Sequence, residues 1–320
     1  MTVRLDNLTI KYGARVAVDA VTVEFPTGAS GLLGRNGAGK SSILKAMLGL
    51  VRPAAGRIQV LDLPAGVAGT ELRARVGYMP ERDAHLPAAT GFEMVAVLGR
   101  LSGMPRRHAW RRAHETLYMV GLDEQRYRPV STYSAGMRQK AKLAAALVHD
   151  PDVLFLDEPT NGLDPAGRSE MLALVGRLAR EHGKSIVLST HILQDVEAVC
   201  EHVVVLEAGS VLASGGIAEL TRARQRRFEL AVEPAGLELP AELPVDQTIG
   251  ATPSGESVPA VVRIEARGNG RFVAALPPGV TPRPVFEAVA SRGGAVRRLA
   301  SERRSLEDVF LQFVTRKGSE

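Results

Sequence analysis

The sequence predicts an α/β fold: a parallel core sheet with antiparallel strands before it, a helical insertion, and a small C-terminal α+β domain. Three observations predict it. Residues 34–42, GRNGAGKSS, join a short apolar run, Gly31-Leu32-Leu33, to a helical pattern over 41–50; strand, glycine-rich loop, helix is the order a phosphate-binding loop requires. Continuous apolar runs at 153–156 and 186–188 flank a helical stretch, 166–182, that stops at Gly183, which reads as a crossover unit of parallel-sheet type. Beyond Thr221 the composition shifts to a basic run, 222–227, and then to a tract rich in Pro, Gly and acidic residues, 234–256.

The remaining elements follow in order. Residues 3–25 alternate apolar and polar, with breaks at Tyr12-Gly13 and Asp19, and predict antiparallel strands ahead of the loop. Residues 49–56 are the exit turn of the first helix. Thr90-Gly91-Phe92-Glu93 has the form of a capping box and opens a helix through Met94, Val97 and Leu101. A second helix spans 106–120. A third spans 134–148 and stops at His149-Asp150-Pro151, so that about 82–150 form a helical insertion. Residues 203–206 and 211–213 flank the turn Glu207-Ala208-Gly209-Ser210 as a hairpin.

The domain boundary is placed near Leu220, giving domains 1–220 and 221–320. In the second, 228–232, 260–266, 272–276 and 295–299 read as strands, and 283–292 and 305–314 as helices.

At 320 residues with 45% hydrophobic and 23% charged content, the chain has room for one large and one small domain. No apolar run approaches the roughly 18 residues that span a bilayer. The opening residues alternate like a strand rather than forming a secretory signal. A protein that neither crosses a membrane nor is exported is expected. Cys200 is the only cysteine and lies among apolar neighbours, which predicts a buried thiol in a reducing compartment. The net charge of +5 is concentrated in clusters such as Arg222, Arg224, Arg226 and Arg227. With only 4% aromatic residues to stack bases, nucleic acid is not the expected partner.

The chemistry concentrates in five segments. Gly34, Gly39, Lys40 and Ser41 satisfy G-x-x-x-x-G-K-[ST], in which main-chain N–H groups cradle phosphates while the lysine and hydroxyl serve the terminal phosphates and Mg²⁺. The N–H groups of Asn36, Gly37 and Gly39, with Ser42, are candidate phosphate donors, and Ser41 a metal ligand. Asp157 ends the apolar run 153–156, where a carboxylate reaches Mg²⁺, and Glu158 beside it can orient and deprotonate a water. His191 ends the run that includes 186–188, where a ring nitrogen can bond a γ-phosphate. The other two segments are Pro80-Glu81-Arg82 and Tyr133-Ser134-Ala135-Gly136-Met137.

In this order the segments are those of a known family: over residues 2–220 the chain resembles the ATP-binding subunit of an ABC transporter. The resemblance implies a P-loop NTPase cassette with ATP and Mg²⁺ as ligands. It makes 34–42, Arg35 and Ala38 included, the Walker A loop, and 153–158 Walker B. It also makes Asn161-Gly162-Leu163-Asp164 the D-loop with Asp164 at the nucleotide, His191 the switch histidine, and Tyr12 the aromatic stacked on adenine. Where the family reads Leu-Ser-Gly-Gly-Gln, this chain has Ala135 and Met137 but keeps Ser134 and Gly136. Where a glutamine is usual, Glu81 stands as a second anion near Mg²⁺.

In such a fold Ser134 caps a helix that no phosphate of its own chain reaches. The resemblance therefore implies a head-to-tail dimer with itself or a paralogous ATPase subunit. Each ATP then sits between one chain's Lys40 loop and the other's Ser134 and Gly136. The helix 305–314 and the YSAGM signature resemble the drug, polysaccharide and lipid exporter branch. This implies a separate membrane permease, docked near Glu81 and 91–101, with the subunit cytoplasmic and peripheral on the inner face of the membrane. The competing class is a soluble ABC-type ATPase acting on DNA or ribosomes. Its long coiled-coil interruptions or paired cassettes are missing from this sequence.

Overall fold

The computed structural model describes residues 2–66, 69–82, 85–86, 88–221, 226–251, 257–277 and 279–302. Arg222 and Arg224 of the basic run and the closing helix expected at 305–314 therefore lie outside the described residues. The chain divides into two compact units, Met1–Ile217 and Ala218–Glu320.

Unit one begins with strands β1 (Val3–Tyr12) and β2 (Arg15–Phe25), paired antiparallel with a ladder that shifts register near Leu8 and Ile10. The break expected at Asp19 is an irregularity within β2 rather than its end. Ala20 takes a left-handed φ of 47°, its N–H bonds the Thr9 hydroxyl at 3.1 Å, and the Asp19 N–H turns to the Gly209 carbonyl at 2.8 Å. β3 (Ala29–Gly34) is buried throughout and feeds the glycine-rich loop and helix α1 (Lys40–Met47). The helix is shorter than the expected 41–50, because Gly49 at φ 70° closes it in the left-handed region that a side chain disfavours.

Four elements that the sequence pattern did not reveal follow. They are β4 (Ala55–Val60), β5 (Leu63–Pro64), α2 (Gly69–Arg75) and β6 (Val76–Met79). β4 occupies the end of the stretch read as an exit turn and pairs with β1.

The insertion contains α3 (Gly91–Leu101), α4 (Arg106–Met119) and α5 (Ala135–Leu147). The capping box is complete: the Glu93 N–H donates to Thr90 Oγ1 at 3.1 Å and the Thr90 N–H to Glu93 Oε2 at 2.8 Å. After it come β7 (Val153–Asp157), α6 (Pro165–Arg180), β8 (Ser185–Thr190), α7 (Leu193–Val199), β9 (His202–Glu207), β10 (Ser210–Gly216) and α8 (Ile217–Leu220).

Two sheets result. One has strand order β2-β1-β4-β5. The other runs β10-β9-β3-β8-β7-β6, its pairings parallel from β9 to β6 and antiparallel at β10–β9. The central strands are apolar on both faces, as a parallel sheet covered on two sides requires, with Leu32, Phe155 and Val187 in one core. The two sheets meet beside the glycine-rich loop, where the Gly209 N–H bonds the Ala38 carbonyl at 3.2 Å. The loop is thereby held from both sides.

Unit two is a five-stranded antiparallel sheet of order β12-β13-β14-β11-β15. Its strands are β11 (Arg226–Glu233), β12 (Glu242–Ala251), β13 (Ser257–Gly268), β14 (Arg271–Leu276) and β15 (Ala295–Glu302), with helix α9 (Arg283–Ala290). β12 lies within the tract 234–256, where the sequence pattern showed no strand. Cys200 is buried and unbonded, and burial, then the Asp195 charge, pushes its thiol up to about 12, so it is inert as a nucleophile at neutral pH. No helix among the described residues is long and apolar enough to cross a membrane.

Candidate functional site

The glycine-rich loop brings its main chain to the cleft through glycines at set positions. Gly39 stands at φ 104° and caps α1 without a side-chain bond. A Cβ there would sit 2.7 Å from the Ala17 carbonyl oxygen, so both conformation and space demand glycine. The free N–H groups of the first turn and the positive end of the helix dipole are left to an anion. Asn36, Gly37, Ala38, Gly39, Lys40, Ser41 and Ser42 line one cleft, together with Tyr12, Arg15, Ala17, Glu81 and Glu158. Gly34 lies beneath it at the end of β3. Arg35 lines an adjoining recess with Asn36, Gly37, Ala38 and His191.

Lys40 is buried, and its ammonium donates to the Gly34 carbonyl at 2.7 Å and stands 3.3 Å from Glu158 Oε1. That carboxylate oxygen is buried and makes no hydrogen bond among the described residues. The other, Oε2, is 3.0 Å from His191 Nδ1. Glu158 itself has a left-handed φ of 49°, a conformation that a non-glycine residue keeps only where its surroundings impose it. Here they do: its N–H donates to the Ser189 carbonyl at 2.9 Å, and its carbonyl accepts from the Asn161 N–H at 3.1 Å. Lys40, Glu158 and His191, far apart in sequence, thus form one contiguous line.

Asp157 ends β7, buried, and accepts a hydrogen bond from Ser189 Oγ at 2.9 Å. Tyr78 reports its field. Burial, then the charges of Asp157 and Glu81, push the phenol up to about 12, so the ring stays neutral between two carboxylates. Among the described residues no group of three His, Cys, Asp or Glu side chains converges to hold a metal. The oxygen donors Ser41, Asp157 and Glu81 suit a hard cation that keeps waters and phosphate oxygens as its other ligands, so the set fits Mg²⁺ held jointly with a nucleotide.

Ser134 and Gly136 are elsewhere. Ser134 caps α5, its Oγ accepting the Met137 N–H at 3.2 Å, and lines a second cleft with Gly136, Gly162, Leu163, Asp164 and Gly167. That cleft shares no residue with the one around Lys40. The signature segment and the D-loop segment therefore come together, and neither joins the Lys40 loop of its own chain.

Some participants gave no signal in the sequence. Arg15 and Ala17 reach the cleft because β2 runs past the loop. Asp195, fully buried, accepts from Thr160 Oγ1 at 2.6 Å and from Arg168 Nε, tying the segment after Glu158 to the helix after His191. On α5, Gln139 donates to the Asn161 carbonyl at 3.0 Å, and Lys142 to the carbonyls of Pro80 and Glu81 at 2.9 and 3.1 Å. Only β-strand ends and motif spacing are visible in a string of letters, whereas these contacts are made by packing.

A phosphate loop after a buried parallel strand, a carboxylate pair at the end of β7, two strands away in the same sheet, and a serine-capped helix facing away define an ATP-binding cassette. The comparisons agree. The family model for ABC transporter matches residues 18–161. An ABC transporter ATP-binding protein of Bacillus subtilis, itself uncharacterized, is 34% identical over 88% of this chain and 89% of its own. The Nod factor export ATP-binding protein I of Cupriavidus metallidurans is 33% identical over 98% and 97%.

Among solved structures, cbiO1 of Clostridium perfringens, part of the ABC transporter complex cbiONQ, is 28% identical with a TM-score of 0.63, covering 68% of this chain and 90% of its own. A dimeric cassette in a post-hydrolysis state with ADP and Pi, 24% identical at a TM-score of 0.61, covers 67% of this chain and 98% of its own and shares the fold. The chain belongs to the ABC transporter ATP-binding proteins and is an ATPase.

Proposed function

We propose that the chain is the motor subunit of an exporter: two cassettes, identical or paralogous, close head to tail on two ATP molecules and drive a separate membrane permease. One observation carries this reading. Ser134 and Gly136 line a cleft that contains no phosphate-loop residue, so a helix N-terminus suited to an anion lacks a phosphate unless a second chain brings one. The relatives named as Nod factor export proteins support the direction.

In this reading the adenine stacks on Tyr12, and the N–H groups of 35–39 wrap the β- and γ-phosphates. Lys40 exchanges part of its contact with Glu158 for phosphate oxygens. Ser41, Asp157 and Glu81 would hold Mg²⁺, which when bound would supply charge neutralisation for the phosphate oxygens. Glu158 is the general base: its Oε2 orients and deprotonates the attacking water. His191, 3.0 Å from that oxygen, fixes the carboxylate and contacts the γ-phosphate. Ser134, Gly136 and Asp164 of the opposing chain close the site and exclude water. Residues 1–220 act as the motor and 221–320 as an accessory domain, and the subunit works at the inner face of the membrane.

The permease is the testable element. A tagged chain co-expressed with the permease of its neighbouring reading frame should co-purify from solubilised membranes, with ATP turnover above that of the isolated subunit. Recovery of the chain without any integral membrane protein, at unchanged turnover, contradicts the assignment.

A further inference from the structure

Helix α5 carries Ser134 at its N-terminus, yet about two turns along it a lysine is buried. Lys142 is 4% exposed, and its ammonium donates to two successive main-chain carbonyls, Pro80 at 2.9 Å and Glu81 at 3.1 Å. Those carbonyls belong to the segment that leaves β6 and delivers the Glu81 side chain to the cleft around Lys40.

Two features make the link stiff. α5 lies directly on β6: a Cβ on Gly77 would come within 2.2 Å of the Ala146 carbonyl oxygen. Lys142, one turn before Ala146, is thereby set opposite the end of the same strand. Pro80 has no N–H, so its segment cannot be held there by a proline donor, and the charge-assisted bonds to its carbonyls do that work. On the same helix face, three residues earlier, Gln139 holds the Asn161 carbonyl at 3.0 Å. One helix thus grips two main-chain segments, the one after β6 and the one after Glu158, while its N-terminus faces away.

We infer that Lys142 is a positioning residue: through the Pro80 and Glu81 carbonyls it sets the Glu81 carboxylate in the nucleotide cleft and makes that placement follow any movement of α5. The inference rests on the cleft being the ATP site. Engagement of Ser134 by a second chain's nucleotide would move α5 and, through Lys142, adjust Glu81 at the first.

A double-mutant cycle on the full-length ATPase tests it. Lys142→Met keeps length and apolar bulk but removes the donors. It should lower kcat by about tenfold with KM for ATP changed less than about threefold, the signature of an interaction made in the transition state. In a Glu81→Ala background the same substitution should change kcat by less than about twofold, since there is no carboxylate left to place. Amide exchange in residues 81–82 should quicken in Lys142→Met while that of β7 stays unchanged.

An equal loss of kcat in both backgrounds, or exchange that quickens throughout the unit, would make Lys142 merely structural and overturn the inference. Should Lys142→Met not fold, Lys142→Gln, which retains one amide donor, enters the same cycle with the same two outcomes. A parent enzyme whose turnover ignores Lys40→Ala would instead refute the cleft assignment, a result distinct from either.

Discussion

Glu158→Gln will lower ATP turnover by about 10²- to 10⁴-fold, the range lost when a positioned general base is removed, while ATP binding stays within a few-fold of the parent. The reasoning starts from geometry. Glu158 Oε2 is held 3.0 Å from His191 and Oε1 faces Lys40 at 3.3 Å, so the carboxylate is fixed at the mouth of the phosphate loop by one hydrogen-bond contact and one ion pair. An amide of the same shape keeps the left-handed backbone at φ 49° and still bonds His191, but takes no proton from water. Lys40, Ser41 and the loop N–H groups are untouched, so nucleotide is retained. Single-turnover kinetics with equilibrium binding of a fluorescent ATP analogue separate the two effects. Turnover within threefold of the parent would remove Glu158 from the role of base.

Asp195→Ala carries the second large effect, on stability. The carboxylate is fully buried and satisfied by Thr160 and Arg168. Truncation leaves the Arg168 guanidinium, 29% exposed, and the buried Thr160 hydroxyl without their partner, which costs about 3–5 kcal/mol by the precedent of broken buried ion pairs. For a unit of this size that is a fall in Tm of roughly 10 °C. Asp195→Asn, which keeps both acceptor and shape, should recover a large part of it. Because Thr160 follows Glu158 by two residues and α7 follows His191, turnover should fall with stability even below the transition. Scanning calorimetry of the three proteins decides the matter. Equal transition temperatures for Asp195→Ala and the parent would show that the network contributes nothing.

The parts of this site that were legible in the sequence are those where chemistry leaves a fixed spacing. The phosphate loop needs its glycines at set positions because the main chain itself is the ligand surface. β7 and β8 are continuous apolar runs because a parallel sheet is covered on both faces. Thr90 and Glu93 announce a helix start because two side chains bond two main-chain donors.

What stayed hidden follows different rules. β12 contains Pro244 and lies at the edge of its sheet, where a proline leaves no ladder bond broken, so a composition that argues for a loop is compatible with a strand. β4, β5 and β6 are short, β4 and β6 contain a glycine, and they pair only because β1 and β7 are already in place. Asp195 and Lys142 look like surface charges in the sequence. They are buried because residues 27 and 35 positions away in one case and 62 and 61 in the other supply their partners, and no local pattern encodes that.

The central claim is that Lys40 and Ser134 act on the same nucleotide only across two chains. Mixing two inactive variants tests it: Lys40→Ala, defective in its own loop, and Ser134→Arg, which fills the second cleft. Half of randomly assorted dimers then contain one of each chain. In these, one site in two pairs an intact loop with an intact signature, so the mixture should recover about a quarter of parental turnover if the two sites act independently. No activity above the sum of the separate variants, under conditions where the chains exchange, would contradict the account.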